Sequence, residues 1–222
     1  MYLELENISK KIKSDVVLED ISLCMDTHRT YGIQGKNGCG KSMLMRVICG
    51  LVLPTTGSVK IKGERLGEKV SFPPSAGVLI EHPGFLDAYS GLDNLKMLAS
   101  IQQKVGEKEI EETLIRVGLE ESMKKKYKKY SLGMKQKLGI AAAIMEKPDL
   151  IILDEPTNGL DEASEEILWQ IIREEKERGA LLLISCHDRE MLEIVSDEVW
   201  LMDRGRIKEH VILNATQIDE NF

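Results

Sequence analysis

The 222-residue sequence predicts an α/β fold with an N-terminal antiparallel β subdomain and an inserted α-helical subdomain. Three observations predict it. GKNGCGKS at 35–42 stands between a strand pattern, RTYGIQ at 29–34, and helical spacing of Met43, Leu44, Val47, Ile48 and Leu51. DLIILDE and ALLLIS are near-continuous apolar runs, as buried parallel strands tend to be. Residues from about 84 to 145 are instead rich in Leu, Lys and Glu at helical spacing, which marks a helical insertion.

The elements follow in order. MYLELENI alternates apolar and polar positions, and VVLEDISL repeats the alternation after a polar turn, so residues 1–25 read as short strands. Gly50 and Pro54 close the helix after GKNGCGKS, and TGSVKIKG at 56–63 is a strand bounded by glycines. A helix over 162–178, closed by Gly179, joins the two apolar runs. VWLMDRGRI predicts a strand and turn, and the final residues a frayed tail.

The length suffices for one substantial core, or a core with a smaller lobe. A net charge of −7 argues against a general nucleic-acid binder, which needs a basic face. The basic run KKKYKK at 124–129 reads as a solvated face, with anionic lipid or a partner loop as the alternative. No stretch approaches the roughly 18 apolar residues of a spanning helix, and MYLELENISKK lacks a signal-peptide core. A cytosolic protein is expected, reaching any membrane only through a partner. The four cysteines form no Cys-x-x-Cys pair, and no His stands at metal-ligand spacing, so reduced thiols are expected. The ten methionines read as core filler.

Gly35, Lys36, Asn37, Gly38, Cys39, Gly40, Lys41 and Ser42 fit G-x-x-x-x-G-K-[ST] without mismatch. The glycines let successive N–H groups turn inward around phosphate oxygens, and a helix N-terminus beginning near Met43 adds partial positive charge. Lys41 is expected to reach the β- and γ-phosphates of ATP, and Ser42 to hold Mg²⁺. The apolar strand LIIL then ends in Asp154 and Glu155. Asp154 is expected to help fix the metal, usually through water, and Glu155 to polarise the attacking water as general base. This predicts a P-loop NTPase core.

At this point the chain resembles the nucleotide-binding domains of ATP-binding cassette (ABC) transporters, over nearly its whole length. YSLGMKQK at 130–137 is similar to the family's signature segment, normally LSGGQ; Ser131 and Gly133 match, while Leu132 and Met134 depart. These open a helix over 135–145, and the resemblance implies that they contact ATP held by another subunit. An N-cap role for Ser131 is compatible with that. Asp161 in GLD resembles the D-loop, and His187 in ISCHD the switch histidine that touches the γ-phosphate and steadies the base. The resemblance implies one domain over 1–222, a head-to-tail homodimer around ATP, and an integral membrane permease. The chain would lie peripherally on the cytoplasmic face of the cell membrane. Permease docking is expected over residues 81–98, with Phe85, Leu86, Tyr89 and Leu92.

Two positions depart from the family. Glu81 stands where a Q-loop glutamine is expected; it can still ligate Mg²⁺ or its water and add charge beside Asp154 and Glu155, but when ionised it cannot donate a hydrogen bond. Ile12 stands at the adenine-stacking position and offers no π-face, which predicts looser base selectivity. Cys39, near a helix N-terminus, is expected to be alkylated with loss of ATP hydrolysis, and to be protected by ATP. The segment E-x-P-G-F with YSLGMKQ resembles the branch exporting bacitracin- and lantibiotic-type peptides. The rival readings are a soluble ABC ATPase acting on ribosomes or DNA, which usually carries two cassettes or a long coiled coil, and a small-molecule kinase. A kinase does not need Ser131, Asp161 and His187 in this order.

Overall fold

The computed structural model describes residues 1–68, 70–81 and 84–213. The expected frayed tail lies mostly outside them, as do His82 and Pro83. Two sheets organise the chain. Strands β1 (Leu3–Ile12), β2 (Asp15–Met25), β4 (Thr56–Ile61) and β5 (Glu64–Arg65) form an antiparallel sheet in the order β2-β1-β4-β5. The N-terminal strands are long rather than short, because register shifts between Leu5 and Lys11 let a twisted pair continue.

The second sheet combines β3 (Arg29–Gln34), β6 (Ala76–Leu79), β7 (Leu150–Asp154), β8 (Leu181–Cys186), β9 (Glu198–Asp203) and β10 (Arg206–Ile212) in the order β10-β9-β3-β8-β7-β6. All its pairings are parallel except that of β9 with β10. Strands β7 and β8 are buried at every position, which explains their unbroken apolar sequences.

Alternation along these strands feeds two cores. Leu150, Ile152, Leu181 and Leu183 join the antiparallel sheet and α1 (Lys41–Ile48) on one face. Ile151, Leu153, Leu182 and Ile184 join the helical elements on the other. Each such fully buried side chain contributes about 1.5–3 kcal/mol.

The helical lobe begins later than its sequence pattern does. Ser90 caps α2 (Gly91–Gln102) by accepting from the Asp93 N–H, while the Asp93 carboxylate bonds back to Ser90. Helix α3 (Glu107–Arg116) follows, then single 3₁₀ turns at Glu120–Ser122 and Tyr127–Lys129. Lys124, Lys125, Lys126, Lys128 and Lys129 are exposed around buried Tyr127, as a solvated face requires. Helix α4 (Leu132–Ile144) starts three residues before the expected boundary, because Ser131 caps it and draws Leu132, Gly133 and Met134 into its first turn. Helices α5 (Glu162–Glu177) and α6 (Arg189–Val195) complete the chain.

Helix α4 lies directly on the sheet edge. A Cβ at Gly77 in β6 would stand 1.6 Å from the Ala143 carbonyl oxygen, so only glycine admits this approach. Gly77→Ala is therefore expected to lower unfolding free energy by about 1–3 kcal/mol or more, read as a lower urea midpoint. An unchanged midpoint would contradict this packing.

Candidate nucleotide groove

Parallel strands place their C-terminal ends on one edge, where ligands bind in open α/β sheets. Here β3 delivers the phosphate loop, β7 delivers Asp154 and Glu155, and β8 delivers Ser185 and His187. The result is a groove of about 390 Å³ lined by Val17, Asn37, Gly38, Gly40, Lys41, Ser42, Met43, Arg46, Asp154 and Glu155.

The loop has the form of an anion cradle. Gly40, with φ 114°, occupies the N-cap position of α1, and α1 has no side-chain cap. Its first-turn N–H groups therefore lack intrahelical acceptors and remain for a ligand. A Cβ at Gly38 would meet nothing within 4 Å, so the loop faces open space there. Gly35 differs: it packs against the Cys39 thiol and the Met202 carbonyl.

Lys41 is buried; its Nζ donates to the Gly35 carbonyl at 2.6 Å and lies 3.2 Å from Glu155 Oε1. Ser42 Oγ donates to Asp154 Oδ2 at 2.5 Å. Ser185 Oγ donates to Asp154 Oδ1 and accepts the Glu155 N–H at 3.0 Å. Glu155 itself adopts φ 48°, a left-handed conformation costing about 1–3 kcal/mol. Two hydrogen bonds from its N–H to Ser185 offset that cost. Its Oε1 is buried without accepting a hydrogen bond, while Oε2 lies 3.0 Å from His187 Nδ1. An uncapped helix start, a buried lysine and adjoining hydroxyl and carboxylate oxygens fit a metal-bound phosphate chain.

Several expected residues lie elsewhere. Ser131, Gly133 and Asp161 are absent from the groove's lining. Ser131 is exposed at the start of α4, where its Oγ accepts the Met134 N–H at 3.2 Å. Asp161 caps α5 by accepting the Ser164 N–H at 3.0 Å, and its hydrogen bonds from Ser164 hold its carboxyl below the usual range. Lys36 is exposed and is not among the residues lining the groove.

Three expectations need correction. Glu81 does not add its charge beside Asp154 and Glu155: its carboxylate pairs with Arg46 of α1 at 2.6 Å and is largely exposed. Ile12 is exposed at the end of β1 and does not line the groove; Val17, one strand later, does. Cys39 is buried with its thiol against Gly35, so it packs the loop instead of offering its sulfur to solvent.

Two contributors escaped the sequence reading. Ser185, the last polar residue of an otherwise apolar strand, holds both Asp154 and Glu155 and is fully buried. Gln136, on the inward face of α4, donates from Nε2 to the Glu155 and Pro156 carbonyls at 3.2 and 3.1 Å. It ties the helix opened by Ser131 to the strand end carrying Glu155. A further cluster appears where no metal-ligand spacing was expected: a Glu155 oxygen, Cys186 Sγ and a His187 nitrogen lie within 4.8 Å of one another.

The ABC transporter family profile matches residues 18–158. The uncharacterized ABC transporter ATP-binding protein YybJ of Bacillus subtilis is 43% identical over 206 residues, covering 93% of this chain and 94% of that one. The bacitracin transport ATP-binding protein BcrA of Enterococcus faecalis is 37% identical, over 94% of this chain and 68% of its own length. The lantibiotic transport ATP-binding protein SrtF of Streptococcus pyogenes is 34% identical, over 92% of this chain and 88% of its own. A solved ATP-binding subunit of an ABC transporter superposes with TM-score 0.87 at 29% identity, covering 99% of this chain and 93% of its own. The cassette MJ0796, solved as a dimer bound to ADP and Pi, shares the fold with TM-score 0.87 at 21% identity, over 96% of this chain and 99% of its own.

Ser185→Ala removes the donor to Asp154 and one acceptor for the Glu155 N–H. Stability is expected to fall by about 1–3 kcal/mol, with loss of ATPase activity, as measured by thermal unfolding and phosphate release. Wild-type values for both would contradict the role of Ser185.

Proposed function

We propose that this chain, which belongs to the ABC transporter family as an ATP-binding and ATP-hydrolysing protein, powers export through a separate membrane permease while two copies share ATP and Mg²⁺. The carrying observation is the groove's lining, which holds phosphate-loop and acidic residues but none of Ser131, Gly133 or Asp161. Ser131 and Gly133, which the family resemblance assigns to a nucleotide, stand at the exposed start of α4 and outside the groove. A head-to-tail partner supplies them, with Asp161 facing the same interface.

Within each copy the chemistry follows from the pairings. Lys41 leaves its contacts with Gly35 and Glu155 to meet phosphate oxygens, which frees Glu155 Oε1 to accept a proton from water. His187 holds the other carboxylate oxygen in place. Ser42 and Asp154, already adjoining, are the residues that would hold Mg²⁺, Asp154 through water. The ion supplies neutralisation of charge developing on the transferred phosphoryl group. Glu81, held by Arg46, is the residue that would contact Mg²⁺ or its water from the neighbouring loop. Val17 gives the base apolar contact in place of Ile12.

The permease docks on the exposed side of residues 81–98. Leu86 and Tyr89 are exposed there, whereas Leu92 is buried and Phe85 packs edge-on against Tyr127, so only the first two belong to the surface. Among the described residues no helix is long and apolar enough to cross a membrane, in keeping with peripheral attachment at the cytoplasmic face through that permease. The bacitracin and lantibiotic transport proteins among its relatives support a peptide-antibiotic cargo.

Glu155→Gln is expected to lower ATP hydrolysis by about 10²–10⁴-fold and to accumulate an ATP-bound dimer on size exclusion. A monomer at saturating ATP would contradict the shared site. Leu86→Ala with Tyr89→Ala is expected to reduce peptide-antibiotic resistance in cells far more than ATPase activity of the isolated chain. Equal losses would contradict the docking assignment.

A further inference from the structure

The cluster formed by Glu155, Cys186 and His187 offers three different donor types at one point. A carboxylate oxygen, the Cys186 sulfur and a His187 ring nitrogen all lie within 4.8 Å of one another, and Glu155 Oε2 stands 3.0 Å from His187 Nδ1. Neighbouring residues in a strand normally point to opposite faces. Strand β8 ends at Cys186, however, and the chain turns at His187 into the Asp188 cap of α6, so the two adjacent side chains converge.

We propose that Glu155, Cys186 and His187 form an inhibitory Zn²⁺ site. Thiolate, imidazole and carboxylate together suit Zn²⁺, whereas Mg²⁺ prefers oxygen ligands alone. Zinc–ligand bonds of about 2.0–2.3 Å place tetrahedral ligands roughly 3.3–3.8 Å apart. The Glu155–His187 pair already satisfies that spacing to within a few tenths of an ångström. His187 is exposed, and the buried Cys186 sulfur, which accepts the Asp188 N–H at 3.4 Å, lies within 4.8 Å of the other two donors.

The ion takes the oxygen facing His187, away from Lys41, which lies beside Oε1. On binding, the Cys186 thiol releases its proton to solvent, and the S–Zn bond replaces S–H. Solvent fills the fourth position, since three protein ligands are available. The ion then occupies the carboxylate and the imidazole together, so the ATPase stops while the phosphate loop stays intact. The inhibitory effect rests on the reading of Glu155 as general base; metal binding does not.

The test compares wild type with Cys186→Ser, Cys186→Ala and Cys24→Ser, the last removing the one exposed cysteine. Co²⁺ serves as the spectroscopic probe, and Zn²⁺ as competitor. Wild type and Cys24→Ser are expected to show thiolate-to-cobalt absorption that Zn²⁺ abolishes. Both Cys186 variants are expected to lose it and to bind Zn²⁺ about tenfold or more weakly. His187→Ala, used for binding only, is expected to weaken it likewise, which keeps the proposal testable if one Cys186 variant fails to fold. Buffered free Zn²⁺ is expected to inhibit wild-type ATPase reversibly, with chelation restoring it, and about tenfold more to be needed for a Cys186 variant. Absent cobalt absorption in wild type, or the same absorption in the Cys186 variants, would overturn the site. Cobalt absorption as expected with a Zn²⁺-insensitive ATPase would overturn the inhibitory role, whereas the assignment of Glu155 as base falls only if Glu155→Gln retains ATP hydrolysis.

Discussion

The nucleotide groove depends on one hydrogen-bonded carboxylate. Asp154 accepts from Ser42 on one oxygen and from Ser185 on the other, so it joins the first turn of α1 to the ends of β7 and β8. The parallel register makes this possible, aligning Gln34 with Cys186 and Asp154 with Ser185 at one sheet edge. A one-residue slip in either pairing would turn these side chains to the opposite face. The apolar cores on both sides of the sheet resist that slip, because every residue of β7 and β8 is buried. Packing thus sets the register, and the register sets the chemistry.

The same geometry connects the helical lobe to the groove. Gln136 reaches from α4 to the carbonyls of Glu155 and Pro156, and the first turn of α4 lies against the loop that leads to Asp161. A displacement of α4 therefore bears directly on the strand end that carries Glu155. Arg46 couples in another direction, lining the groove while holding Glu81 at the edge of the segment leading to Leu86 and Tyr89. The groove is thereby tied to α4 through Gln136 and to the edge of the segment carrying exposed Leu86 and Tyr89 through Arg46.

Much of this was legible in the sequence. The strand–loop–helix order around residues 29–51, the acidic pair after LIIL and the helix start after Asp161 depend on local chemistry: glycine turns, strand periodicity and capping side chains. What was not legible depends on residues distant in sequence. The role of Ser185 requires knowing that β8 pairs with β7, and the partner of Glu81 requires knowing that Arg46 faces it from α1. That Val17 lines the groove and Ile12 does not depends likewise on how the β1–β2 hairpin is placed against the phosphate loop. Adjacent Cys186 and His187 gave no ligand-spacing signal, because their convergence with Glu155 is created by the strand pairing.

The proposed working site is shared between copies, with the phosphate loop from one and Ser131 from the other. The most direct measurement mixes two inactive variants, Lys41→Ala and Ser131→Arg, and follows ATP hydrolysis. In a head-to-tail dimer the mixed pair holds one site with both defects and one with neither. Activity is expected to return on mixing. A mixture no more active than the two variants measured separately would contradict it.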